Sequence, residues 1–236
     1  MRIAMLAGCF LFAASIVNAS VARAASVDQS TVSVGGVSAA LLKPAHPKGA
    51  IILLAGGAGN IGVGPNGTMA REGNQLVRTR AAYAARGFAV LVPDCCVDVA
   101  AAVQYMHSFG RVTLVGTSRG TQRAGRGIAA GARPDRLVLT SGFLSNASGD
   151  TDNVMNMLGS PSALPSTLIV HHRQDGCFKT LPAGVAPFVE WAKGKARVTW
   201  LDGGSSAGNP CEAWAHHGFA GQDGQVVSAV AGFAAR

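Results

Sequence analysis

Charged, acidic and aromatic residues are scarce in this 236-residue chain, and each shortage narrows the class of protein. Only 14% of residues are charged and 6% are aromatic, whereas 48% are hydrophobic, enough to fill a full core in one domain. Acidic residues number 12 against 20 lysines and arginines. The basic residues form no run, are not interleaved with aromatic residues and match no nucleic-acid-binding motif. This pattern indicates a solvated basic surface and argues against a nucleic-acid partner.

Long apolar runs are missing beyond residues 1–24, which argues against a membrane-spanning helix in the rest of the chain. The first 24 residues have the pattern of a signal peptide: Arg2 gives a positive start, residues 3–17 are mostly apolar, and Ala22-Arg23-Ala24 fits a cleavage site. We therefore expect an exported protein, periplasmic or secreted, whose mature chain begins at Ala25. Cys9 lies in a lipoprotein-like tetrapeptide but precedes most of the apolar run, which argues against a lipid anchor.

Internal repeats and breaks in composition are also missing, so residues 25–236 are predicted to form a single domain. Most apolar segments lack alternation and are separated by helical stretches, which is typical of a mainly parallel sheet covered by helices on both faces. An alternating hairpin precedes them and would form an antiparallel edge. The predicted strands cover residues 31–34, 37–42, 50–54, 88–92, 111–115, 136–140, 166–170 and 197–201. The predicted helices cover residues 73–86, 97–108, 121–130, 183–193 and 225–235, and residues 141–165 are predicted to be a loop with one short helix.

One segment joins a short apolar strand to a helix through Gly116-Thr117-Ser118-Arg119-Gly120. In this context Gly-x-Ser-x-Gly is the pattern of a nucleophile elbow, in which the serine occupies a strained turn that only small neighbours permit. The elbow would present the hydroxyl of Ser118 beyond the carboxyl end of the strand. The amides of Arg119 and Gly120, at the start of the helix, would face developing negative charge. Ser118 is therefore the candidate nucleophile.

Candidate acid and base residues follow two later strands. Asp175 comes shortly after one strand, and His216 and His217 lie between the last strand and the last helix. Because reactive groups gather beyond the carboxyl ends of parallel strands, these side chains are expected at the same sheet edge as Ser118. A serine needs a base that accepts its proton, and a carboxylate fixes the tautomer of that imidazole. The sequence thus predicts a catalytic triad of Ser118, Asp175 and His217.

With these residues the sequence resembles the α/β-hydrolase family, in its esterase and dienelactone-hydrolase-like form without a large lid domain. The elbow and the order of the three triad residues match the family pattern, and the resemblance covers the whole mature chain. It implies a three-layer α/β-hydrolase fold, no cofactor and no metal. Ala55-Gly56-Gly57-Ala58 resembles the oxyanion loop of the family, although Ala55 replaces a frequent histidine. The implied oxyanion donors are the backbone amides of Arg119 and of Gly57, with Ala58 as the alternative to Gly57.

Other assignments of these residues remain open from the sequence. Asp94 also follows a strand and is the alternative acid, while His216 is the alternative base. His217 is preferred because it directly precedes Gly-Phe. The pair His171-His172 could bind a metal ion together with Asp175 and His216. Neither histidine pair, His171-His172 or His216-His217, has the three- or four-residue spacing that places two ligands on one helix face, which argues against a metal site.

Four cysteines follow the predicted signal peptide, an even number that favours disulfides in an exported protein. A bridge between Cys177 and Cys211 would tie the acid loop to the base loop and is preferred among the three possible pairings. Cys95 and Cys96 would then be either buried thiols or partners in a strained ring. No cysteine occupies an elbow, so a cysteine nucleophile is disfavoured.

Three arginines, Arg119, Arg123 and Arg126, recur at helical spacing after the elbow. They are predicted to form the solvated side of an amphipathic helix. The alternative is a basic pocket that attracts an anionic substrate.

Together these features predict an exported serine hydrolase that cleaves carboxylic esters through an acyl-enzyme intermediate. Residues 141–165 are too few for a lid domain, so we expect a fairly open site and small-molecule esters with short or soluble acyl groups. A peptidase or a thioesterase could use the same triad. From a different class, a non-catalytic binding module could retain the fold.

Overall fold

The computed structural model describes residues 26–236, so the predicted signal peptide lies outside the described residues. Eight strands and seven α-helices make up about half of this part of the chain. The strands are β1 (Val27–Val34), β2 (Val37–Pro44), β3 (Ala50–Leu54), β4 (Ala89–Pro93), β5 (Val112–Thr117), β6 (Arg136–Thr140), β7 (Ser166–His172) and β8 (Ala196–Leu201). The helices are α1 (Gln75–Arg78), α2 (Arg80–Ala85), α3 (Val99–Met106), α4 (Arg119–Ala129), α5 (Val154–Leu158), α6 (Val185–Trp191) and α7 (Asp223–Ala234). None of the helices in residues 26–236 has both the length and the apolar character needed to cross a bilayer.

The strands form one sheet in the order β1-β2-β4-β3-β5-β6-β7-β8. β2 pairs antiparallel with both β1 and β4, whereas every other neighbouring pair is parallel. The predicted architecture, a mainly parallel sheet with an antiparallel hairpin at its edge, is confirmed. The parallel arrangement brings the carboxyl ends of β3, β5, β7 and β8 to the same edge of the sheet, where the candidate site residues follow.

Two apolar layers cover the two faces of the sheet. All five residues of β3 are buried, with Ile52 and Leu54 in one layer and Ile51 and Leu53 in the other. Successive side chains of a strand point to opposite faces, so an uninterrupted apolar strand needs cover on both sides. Helices α3, α4, α5 and α6 supply one layer, and helices α1, α2 and α7 supply the other. Each buried leucine or isoleucine contributes about 1.5–3 kcal/mol to this packing.

Several elements differ from the sequence prediction at their ends, and β1 begins at Val27 rather than at residue 31. The helix predicted over residues 73–86 is divided at Thr79, whose backbone leaves the helical region and whose hydroxyl donates to the Gln75 carbonyl at 2.7 Å. The strand predicted to end at residue 170 continues through His171 and His172, because both residues pair with β8. The two histidines therefore lie in the sheet rather than in the loop that follows it.

Candidate active site

The elbow between β5 and α4 places Ser118 in a backbone conformation that few non-glycine residues adopt. Its φ is 52° and its ψ is −126°, which is a strained combination for a residue with a Cβ atom. A Cβ atom added to Gly116 would lie 2.5 Å from the Gly120 carbonyl oxygen, and one added to Gly120 would lie 2.1 Å from the Leu54 carbonyl oxygen. Both glycines are thus required sterically, which explains why the pentapeptide begins and ends with them.

A buried carboxylate and a buried imidazole meet at the same edge of the sheet. Asp175 Oδ2 lies 3.0 Å from His217 Nδ1, and the two residues are 3% and 5% exposed. The Cys177 amide donates to Asp175 Oδ1 at 2.9 Å. The Thr180 hydroxyl lies 3.2 Å from Asp175 Oδ2 and 3.0 Å from His217 Nδ1. Because the carboxylate engages Nδ1, the other ring nitrogen of His217 is the one left for proton transfer.

Thr180 is the contact that sequence reasoning missed. It stands five residues after Asp175, outside any recognisable motif, and its buried hydroxyl reaches both partners of the acid–base pair. A second restraint on the orientation of the carboxylate reduces the number of arrangements that the pair can adopt. No signal in the sequence identifies this residue in advance.

A cavity of about 1090 Å³ brings the predicted groups together. Ser118, Arg119 and His217 line it, as do Gly57 and Ala58 from the loop that follows β3. Among residues 26–236 no hydrogen bond joins the Ser118 hydroxyl to His217, so the two side chains share this cavity without a direct bond between them. Residues that carry a hydroxyl, an imidazole and backbone amides therefore line one space, and these are the kinds of group that acyl transfer uses.

The alternative acid, Asp94, performs another task. Its carboxylate accepts hydrogen bonds from the amides of Ile61, at 2.8 Å, and Val63, at 3.2 Å. Burial acts to raise the pKa of Asp94, but these bonds and one from the Cys95 amide outweigh it and hold the pKa below its ordinary value. Asp94 thus anchors the chain beyond the oxyanion loop, while Asp175 is the acid that contacts His217.

The remaining histidines of the proposed metal set lie beside the acid–base pair. The rings of His172 and His216 are stacked with centroids 4.2 Å apart. His171 is fully buried 4.0 Å from Asp175 Oδ2, and burial holds its pKa below the ordinary value. No group of three histidine, cysteine, aspartate or glutamate side chains among residues 26–236 has an arrangement that could hold a metal ion.

All four cysteines of the described chain are in disulfides. The structure joins Cys177 to Cys211, with Cα atoms 4.5 Å apart, so the segment after Asp175 is tied to the segment before His217. Cys95 and Cys96 are joined to each other rather than left as two thiols.

Arg123 departs from the predicted solvated arginine face, whereas Arg119 and Arg126 are exposed as predicted. The guanidinium of Arg123 turns toward the loop after β3, where it donates to the Ala55 carbonyl and, at 3.2 Å, to the Gly57 carbonyl. Burial, together with the charges of the two neighbouring arginines, lowers the pKa of Arg123 below its ordinary value. The prediction of a uniformly solvated face is therefore wrong at this one position.

The rim of the cavity carries two exposed aromatic rings, Phe178 and Trp214. Arg78 lies against one of them, with its guanidinium carbon 4.8 Å from the centroid of the Trp214 ring. Two hydrogen bonds of 2.8 Å join Arg78 to Asp223, and a third of the same length joins it to the Gly218 carbonyl, next to His217. The histidine loop and the aromatic rim are thus attached to α1 and α7 through one arginine.

Solved structures, among them two of esterases, share this architecture. TT1662 from Thermus thermophilus is 17% identical, covers 78% of this chain and 92% of its own, and superposes with a TM-score of 0.58. A mutant of the esterase E40 is 18% identical over 89% of this chain and 84% of its own, with a TM-score of 0.57. An esterase from the bacterial hormone-sensitive lipase family is 16% identical over the same shares, also with a TM-score of 0.57.

No protein-family model and no curated protein matches the sequence. The structural similarity establishes the class: the chain has the α/β-hydrolase fold, as its resemblance to that family implies.

Proposed function

We propose that this protein is an exported serine hydrolase that cleaves carboxylic esters of small molecules. The observation that carries the proposal is the buried Asp175–His217 hydrogen bond beside a cavity that the strained Ser118 also lines. Structural neighbours described as esterases favour ester substrates over amides and thioesters. Two disulfides in the described chain support export to an oxidising compartment.

In the proposed mechanism, His217 removes the proton from the Ser118 hydroxyl, and the serine oxygen attacks the acyl carbon of the ester. Asp175 holds the ring tautomer and stabilises the imidazolium that forms. The amides of Arg119 and of Gly57 or Ala58 bind the oxyanion of the tetrahedral intermediate. The imidazolium then protonates the leaving alcohol, and water activated by His217 releases the acid from Ser118.

The first test is covalent labelling with a fluorophosphonate probe followed by mass spectrometry of the modified peptide. We expect modification at Ser118, loss of labelling in Ser118→Ala and a strong loss in His217→Gln. Ser108→Ala is the matched control, because this exposed serine lies on the segment after α3 and should label like the wild type. A folded wild-type protein that the probe leaves unmodified would contradict the enzyme proposal and favour a non-catalytic binding module.

The second test is a panel of p-nitrophenyl esters of increasing acyl length, beside a matched amide and a matched thioester. We expect the highest kcat/KM for short-chain esters. A higher kcat/KM for the amide or the thioester would reassign the substrate class to a peptidase or a thioesterase while retaining the triad.

A further inference from the structure

The oxyanion loop, residues 55–59, has little support of its own. Gly57 and Gly59 have φ values of 56° and 76°, and the one backbone hydrogen bond within the loop joins the Gly59 amide to the Gly56 carbonyl at 3.1 Å. Glycines at positive φ leave a free loop with many accessible conformations. An oxyanion hole requires the opposite, since its amides must be fixed before charge develops.

Arg123 supplies an external support for this loop. It donates to the carbonyls of Ala55 and Gly57 from the second turn of α4, the helix that begins directly after Ser118. A Cβ atom added to Gly59 would lie 2.8 Å from the Arg123 guanidinium carbon, so the guanidinium packs directly against the loop. No carboxylate lies within ion-pair distance of Arg123 among residues 26–236; in contrast, Arg126 pairs with Asp152.

Because the peptide bond is planar, the hydrogen bond from Arg123 to the Gly57 carbonyl also restricts the direction of the Ala58 amide. In a trans peptide the C=O and the following N–H point in opposite directions. When Arg123 holds the Gly57 carbonyl on its own side of the loop, the Ala58 amide points to the other side. Gly57 and Ala58 also line the cavity that contains Ser118.

We propose that Arg123 is a positioning residue of the oxyanion hole. It holds the carbonyls of residues 55 and 57, and the bond to the Gly57 carbonyl orients the Ala58 amide toward the acyl oxygen. The proposal rests on the ester hydrolase function above. It places the Arg119 amide and the support of the second donor on one helix, which begins directly after the nucleophile. The acyl group is activated only when the serine, the Arg119 amide and the second oxyanion donor are all correctly placed.

A basic pocket for an anionic substrate accounts less well for the same arginines. The neighbouring space of about 470 Å³ is lined by Arg119, Arg126 and Lys179. Asp152 neutralises Arg126 and Asp150 neutralises Lys179, so among residues 26–236 Arg119 is the one of the three without an acidic partner. Arg123 already uses two guanidinium nitrogens on backbone carbonyls. Two acidic side chains and an occupied arginine at its wall make this space a poor anion site.

The experiment compares Arg123→Gln and Arg123→Lys with Arg126→Gln, a matched control one turn further along α4. Steady-state kinetics with p-nitrophenyl butyrate give kcat and KM, and thermal unfolding gives Tm. For Arg123→Gln we expect kcat to fall about 10- to 100-fold while KM changes less than about threefold, because the loop amides bind the transition state rather than the substrate. Arg123→Lys should recover part of kcat, since an ammonium can hold one carbonyl.

Two further readouts separate positioning from simple stability. The affinity for a trifluoromethyl ketone, which forms a tetrahedral adduct with the serine, should fall in parallel with kcat/KM in Arg123→Gln. Peptide-level hydrogen exchange over residues 55–63 should be at least about tenfold faster in this variant and unchanged in Arg126→Gln. Equal kcat and equal exchange in the two glutamine variants would overturn the inference, as would a loss explained entirely by unfolding.

Failure of the proposed function gives a different result. If the wild type neither reacts with a fluorophosphonate nor hydrolyses an ester, the hydrolase proposal fails. The exchange measurement does not depend on turnover and still decides whether Arg123 holds the loop.

Discussion

Two arginines support opposite sides of the candidate site, and they do so by different means. Arg78 holds the histidine loop and has a carboxylate partner, Asp223, together with the Gly218 carbonyl. Arg123 holds the oxyanion loop through backbone carbonyls alone. One guanidinium is thus neutralised by an ion pair, whereas the other stays close to two like charges that help to lower its pKa.

The number of independent restraints also differs between the two sides. The acid and base loops are tied by the Cys177–Cys211 disulfide, by the Asp175–His217 hydrogen bond, by Thr180 and by Arg78. The oxyanion loop has one side chain that reaches it from α4. We therefore expect changes on the histidine side, other than those in the acid–base pair, to reduce stability more than turnover, and changes at Arg123 to do the reverse.

The largest expected effect comes from Asp175→Asn, which removes the carboxylate that contacts His217 Nδ1. The Cys177 amide, which donates to Asp175 Oδ1, keeps the asparagine oxygen on its own side, so the NH2 group faces His217 Nδ1 and donates to it. The ring is then held in the wrong tautomer, and kcat should fall by about 10³- to 10⁴-fold. Asp94→Asn is the comparison, because Asp94 also follows a strand but bonds to backbone amides. Steady-state kinetics in which Asp94→Asn loses more activity than Asp175→Asn would reassign the acid.

The next effect is on stability. Replacing Cys177 and Cys211 by serine removes a cross-link between residues 34 positions apart, and the free energy of unfolding should fall by about 3 kcal/mol. The same replacement at Cys95 and Cys96, adjacent in sequence, closes no chain loop and should cost much less. Urea unfolding of both double variants checks the order, and equal losses would contradict it.

Arg78→Gln should destabilise the protein by about 2 kcal/mol, because it leaves Asp223 and the Gly218 carbonyl without their shared donor. Arg126→Gln removes an exposed ion pair, 55% and 50% exposed, and should cost under about 0.5 kcal/mol. If kcat per folded molecule falls further in Arg78→Gln than in Arg123→Gln, the expectation that Arg78 mainly supports stability and Arg123 mainly supports turnover is wrong.

The smallest expected effect is a pH dependence confined to the histidine side. Burial holds the pKa of His171 below its ordinary value, with the Asp175 carboxylate acting in the opposite direction and His217 adding to the lowering. Below about pH 6.5 the unfolded chain therefore binds a proton that the folded protein resists, and the free energy of unfolding decreases as the pH falls. His171→Gln should flatten the change in Tm between pH 7.5 and pH 5.5, and parallel curves for variant and wild type would exclude His171 as the source.

The architecture was predictable because a strand that is buried on both faces is apolar at every position, and this composition is easily recognised in the sequence. The uninterrupted apolar run of β3 and the Gly-rich turn after β5 each have a single physical explanation in a covered parallel sheet. The extension of β7 was missed because histidine carries no strand signal, and only pairing with Trp200 and Leu201 reveals it.

The supporting contacts of the site were less accessible to sequence reasoning. Asp175 and His217 were chosen because both follow strands that end at one edge, a rule that needs no side-chain detail. Thr180, Arg78 and Arg123 form hydrogen bonds with groups in irregular loops. The course of such loops cannot be predicted from hydrophobic periodicity or residue spacing. Helical spacing predicts that Arg123 lies on a solvated face, but its guanidinium turns toward the loop after β3 and donates to the carbonyls of residues 55 and 57.

The close approach of Gly120 to the Leu54 carbonyl has a consequence for how the cavity can adapt. Because no side chain separates the start of α4 from the end of β3, the two backbones are in direct contact, and this inner wall has no side chain that could be shortened to widen the cavity. Accommodation of bulkier molecules must come from the outer wall at residues 207–214, which is mostly exposed and irregular. Selection for new substrates would therefore act on that outer segment and leave the inner wall intact.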